Sequence, residues 1–128
     1  VSYYFSKTIH MGMDAAIAHV TDALAQKGFG VLTTIDVRAT LKKKLDVDFR
    51  PYTILGACNP TFAHKALLSE DKIGTMLPCN VIVQELGEGR VEVSAVDPAA
   101  SMQAVDNPHL ASIAGDVREM LKQMVAGL

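Results

Sequence analysis

The sequence contains no uninterrupted apolar run longer than a few residues, which excludes a membrane-spanning helix. It also lacks a basic-then-apolar leader and any lipidation motif. Only two cysteines occur, Cys58 and Cys79. Two are too few to act as a disulfide scaffold in a chain able to build its own core. Neither sign of charge is in excess: twelve Lys and Arg stand against fourteen Asp and Glu, for a net charge of −2. That removes the global electrostatic reason to expect a nucleic-acid partner. No internal repeat, low-complexity tract or linker interrupts the chain. The expectation is one domain over residues 1–128 in a reducing, cytoplasmic compartment. Because the chain opens on Val1 rather than Met, a processed leader stays open.

What is present has a globular balance, 49% apolar and 20% charged. A chain of 128 residues can bury roughly two thirds of its unfolded surface. Ser2 to Ile9, rich in aromatic and β-branched residues, reads as a strand. Met13, Ile17, Val20 and Leu24 form one stripe of an amphipathic helix that Gly28 ends. From Val31 the period changes to two. Val31, Thr33, Ile35 and Val37 are expected on one face of a half-buried strand. Ala39 to Leu45 reads as a short helix that presents Lys42, Lys43 and Lys44 to water.

A strand over Tyr52 to Cys58 runs into Asn59-Pro60, an N-cap followed by a first-turn proline, and a helix over Thr61 to Ser69. Cys79 to Leu86 and Arg90 to Asp97 form a hairpin around Gly87-Glu88-Gly89. Asn107-Pro108 then opens a last helix whose face carries Leu110, Ile113, Val117, Leu121 and Met124. The class is α+β: two layers, with a mainly antiparallel sheet of about five strands backed by the first and last long helices. The sheet's other face is partly polar and open to a short helix or a second subunit.

Several stretches are similar to a known family. They include Gly28-Phe29-Gly30-Val31-Leu32-Thr33, Phe49-Arg50-Pro51-Tyr52, Ile54-Leu55-Gly56-Ala57-Cys58-Asn59-Pro60, Leu77-Pro78-Cys79-Asn80-Val81 and Val96-Asp97-Pro98. Over about Tyr4 to Leu121 the chain resembles the prokaryotic family catalogued as domain of unknown function 302. The resemblance implies a curved antiparallel sheet backed by helices, as in the TATA-box-binding protein, and a tendency to form homodimers. It supplies no accepted substrate, cofactor or catalytic residue. The fold likeness to a DNA-binding protein is an analogy only. The acidic balance and the lack of a phenylalanine wedge flanked by Arg and Lys argue against minor-groove binding.

The chemistry-bearing residues concentrate in two Cys-Asn motifs. Cys58 stands one residue ahead of the Asn59 cap, near unpaired N–H groups and the positive end of a helix dipole, which favours thiolate. Arg50 could add positive charge. The competing reading is that both cysteines are small apolar core residues. Asn59 and Asn80 each have a structural job, as a cap and as a tie for the backbone around Pro78. No Cys-x-x-Cys, Cys/His zinc quartet or His-Glu-x-x-His occurs, and His10, His19, His64 and His109 read as surface residues. Met102, Met120 and Met124 read as core or interface filler rather than copper ligands. Gly-x-Ser-x-Gly and phosphate-loop spacings are absent as well. Glu85, Glu92 and Asp97 on the hairpin could face a cleft, with a solvated strand face as the default.

The expectation is therefore a homodimeric binding or accessory module rather than a general acid–base enzyme. It has no cofactor or metal, and no nucleic-acid or membrane partner. Any small-molecule ligand should lie at Arg50, Cys58, Asn59, Cys79 and Asn80. One alternative is a thiol-based redox or sulfur-transfer protein with Cys58 as nucleophile and Cys79 resolving. Another is a structural partner subunit that dimerises through its open sheet face.

Overall fold

The computed structural model describes residues 2–128. Five strands form one antiparallel sheet: β1 (Tyr4–Ile9), β2 (Gly30–Asp36), β3 (Tyr52–Cys58), β4 (Cys79–Gly87) and β5 (Arg90–Val96), in the spatial order β1-β5-β4-β3-β2. Five helices connect or follow them: α1 (Met13–Gln26), α2 (Val37–Leu45), α3 (Pro60–Ser69), the single turn α4 (Pro98–Ser101) and α5 (Pro108–Ala126). A 3₁₀ segment over Asp71–Met76 leads from α3 into β4. Among the described residues, no helix is long and apolar enough to cross a membrane.

Register and period two decide which side chains meet the helices. Val81 lies opposite both Leu55 and Ala95, and Val83 opposite both Thr53 and Val93, so these residues share one face. The valines and Ala95 are sealed from solvent there, against Val20 and Leu24 of α1 and Leu121 and Met124 of α5. Removing this apolar surface from water is the main force that holds the two layers together. A second, smaller core joins Ala66 of α3 to Leu110 and Ala114 of α5, with Ile73 and Met102 between them.

The caps follow the punctuation of the sequence. The Asn59 carboxamide oxygen accepts from the Phe62 N–H at 3.4 Å, and Pro60 occupies the first turn of α3. Gly28, at φ +82°, takes the left-handed turn that closes α1. The Asn107 oxygen accepts from the His109 and Leu110 N–H groups, while its amide nitrogen donates to the Ser69 carbonyl at 3.0 Å. One side chain thus starts α5 and ties it to the end of α3. Asn107→Ala should therefore cost about 1–2 kcal/mol in a urea titration. Asn107→Asp, which keeps the acceptor and drops the donor, should cost less.

Two sequence expectations need correction at β2. A bulge between Val31 and Thr33 breaks the alternation, so Val31 pairs with Ala57 on the helix side while Thr33 and Ile35 pair with Gly56 and Ile54 on the opposite face. Val37 is not in the strand; it begins α2, where the Asp36 carboxylate accepts from the Ala39 N–H at 2.9 Å. β2 is consequently an edge strand with only Val31 half-buried, not the half-buried strand that strict alternation predicts. At the other edge, β1 starts at Tyr4 rather than Ser2, and the Lys7 ammonium donates to the Ala126 and Leu128 carbonyl oxygens at the end of α5.

Candidate functional site

A strand sends consecutive side chains to opposite faces, so a Cys-Asn dipeptide inside β4 is divided by the sheet itself. Cys79, opposite Ala57, belongs to the helix-covered face and is buried; Asn80, opposite Gly56, belongs to the bare face and is exposed. The five residues singled out by sequence therefore do not meet in one hollow. Cys58, Asn59 and Cys79 line a small cavity beneath the sheet. Arg50 and Asn80 border a groove on the bare face.

The cavity is closed by α3, α4 and α5, with Phe62, Met102 and Val117 in its wall. Its volume is about 40 Å³, too small for an organic ligand, and its almost wholly apolar wall offers an ordered water few partners. Both thiols are free. Burial pushes the Cys79 thiol up from 9.0 to about 11, and the nearby Cys58 adds to the shift by disfavouring a second negative charge. Cys79 is accordingly a poor thiolate at neutral pH, whereas Cys58 is half-buried and adjoins the α3 cap. Because Cys79 is in register with Ala57, the two cysteines are offset by one residue across β3 and β4. Both nevertheless line the same cavity, and each keeps a free thiol. The carboxamide of Asn59 lies 4.0 Å from the Met120 sulfur, so Asn59 spans from its own cap to α5.

The groove is larger, about 470 Å³, within the range of small-molecule sites. Most of its lining comes from strands, which hold side chains more firmly than loops do. Gln84 and Glu92 face each other across β4 and β5, and Tyr52 opposes Gln84 on β3. Arg50, just ahead of β3, folds back over this row. Its Nε donates to the Gln84 carboxamide oxygen at 2.9 Å, and the Gln84 amide nitrogen donates to the Glu92 carboxylate at 3.3 Å. The guanidinium carbon lies 4.5 Å from the centre of the Phe49 ring and 5.6 Å from that of Tyr52, a stacked placement that restrains the charge. Ile82 and Val96 supply apolar surface in the groove, and Tyr3 and Tyr4 pack edge to face at its far end. Among the described residues, no three His, Cys, Asp or Glu side chains converge to hold a metal ion.

Sequence reasoning did not find the tyrosines or the bridging role of Gln84 between Arg50 and Glu92. The parity of Gln84 with Asn80 along β4 was a usable signal, because Val81 and Val83 mark the covered face. The Arg50–Gln84 contact, thirty-four residues apart, had none. The three hairpin carboxylates separate: Glu92 lines the groove and Glu85 does not, while Asp97 is buried, caps α4 and pairs with Arg118 at 3.2 Å.

Comparison with known proteins agrees with this architecture. A family model described as "Domain of unknown function DUF302" matches residues 5–128. The chain is also similar to a solved structure, the crystal structure of an uncharacterized conserved protein DUF302 from Bacillus stearothermophilus. The identity is 28%, the TM-score is 0.89, and 98% of each chain is covered. No curated protein matches the chain.

Proposed function

Because the chain belongs to the DUF302 family, we propose a role from the chemistry of its surface. The protein is a small binding or accessory module, and its ligand site is the groove on the bare sheet face, bordered by Arg50 and Asn80. One observation carries this reading: the Arg50 charge is stacked on two aromatic rings and anchored through Nε, yet no acceptor occupies its two terminal nitrogens among the described residues. A guanidinium so restrained is prepared to receive an acceptor at little entropic cost. Cys58, Asn59 and Cys79 support the site from behind, through the β3–β4 pairing, rather than touching the ligand.

The test is a fragment panel followed by amide resonances of the native protein. Binders should shift Asn80, Gln84 and Ser94, and Arg50→Ala should weaken them. Shifts confined to the cavity or to the helix face would reject the groove.

A second reading has Cys58 as a reactive thiol, supported by its place ahead of the α3 N-terminus and its partial exposure. Native-state alkylation should then modify Cys58 at neutral pH and leave Cys79 untouched until unfolding. A third, the homodimer, draws support from exposed apolar side chains at the edges and on the bare face, Tyr3, Leu32 and Ile35 among them. Ile35→Glu should leave the fold intact and lower the mass seen by light scattering.

A further inference from the structure

Resting on the groove as the ligand site, we infer that its ligand is a zwitterion: a free α-amino acid with an aromatic side chain. Arg50 and Glu92 carry opposite charges and do not touch; the Gln84 carboxamide sits between them, bonded to both. That arrangement fixes the amide orientation, because Arg50 requires its oxygen and Glu92 requires its nitrogen. It also leaves each charge half used. Both terminal nitrogens of Arg50 are without partners, and only one of the two Glu92 oxygens accepts a hydrogen bond among the described residues.

A carboxylate can take the paired N–H groups of the guanidinium in a fork. An ammonium on the adjacent carbon then lies toward the Glu92 carboxylate, one amide group away. The groove carries one positive and one negative charge, so a neutral molecule with separated charges complements it. A simple anion would approach Glu92 unfavourably, and a simple cation Arg50. Within a ring's reach of this polar row are Tyr52, opposite Gln84 on β3, and Ile82, one row further along β4, a surface for an aromatic ring. Val96, Tyr3 and Tyr4 lie another row beyond.

L-phenylalanine, 3-phenylpropionate (no ammonium) and phenethylamine (no carboxylate) form the probe set, titrated into the intact protein with amide resonances as the readout. L-phenylalanine should bind at least about fivefold more tightly than either analogue. Glu92→Gln should remove its advantage over 3-phenylpropionate, and Arg50→Ala its advantage over phenethylamine. If both analogues bind the groove as well as the amino acid, the zwitterion is rejected and the groove stands. If no probe and no fragment shifts groove resonances, both are rejected.

Discussion

Gly56→Ala should destabilise the protein by about 2–3 kcal/mol, although alanine is ordinarily preferred to glycine in a strand. Gly56 is buried in β3, between Thr33 on β2 and Asn80 on β4. A methyl group there would run into the Thr33 hydroxyl and lie 2.7 Å from Cγ of Pro78. The threonine can rotate away; the proline ring cannot. Adding Thr33→Ala should therefore recover only part of the loss, about 1 kcal/mol, and a double-mutant cycle in urea measures that coupling. A Gly56→Ala protein within about 0.5 kcal/mol of the parent would show that this close packing is not rigid.

Alkaline solution should destabilise the protein through Cys79. The buried thiol keeps its proton up to about pH 11, whereas in the unfolded chain it releases the proton near 9.0. Between those values the folded state holds one more proton than the unfolded state, so stability falls as pH rises. The loss attributable to this group is about 2–3 kcal/mol by pH 11, fully present as stability below pH 9. The measurement is the difference between the parent and Cys79→Ala, followed by urea unfolding from pH 8 to 11. The parent's advantage should shrink across that window. A constant difference would mean that Cys79 meets water in the folded protein. Cys58→Ala should narrow the window, because the Cys58 charge is the second cause of the shift.

Much of the fold was legible because local and global signals agree. The stripe Val20–Leu24, the caps at Asn59 and Asn107 and the alternation Val91-Val93-Ala95 each specify an element without help from distant residues. β2 was legible as a strand and misread in its faces. One extra residue at the bulge reverses every side chain beyond it, and nothing in Val31-Leu32-Thr33 announces the insertion. The site was harder for a related reason. Two similar Cys-Asn motifs suggest a single place, but in β4 the peptide lies within the sheet and separates its two residues. At Asn59 the chain has already turned into α3. The groove depends on contacts between Arg50, Gln84 and Glu92 that only the strand pairing creates.

The strand order also sets the timetable on which a nascent chain can begin to close its sheet. β1 and β2 are synthesised first, yet they occupy opposite borders and never bond to each other. β2 finds its neighbour when Tyr52–Cys58 appears, but β1 waits for β5, roughly ninety residues later. At ordinary elongation rates that is an interval of about 5–20 s. Throughout it Phe5 and Ile9 have no strand to join, so early contact with a chaperone would be most useful to the segment that forms β1.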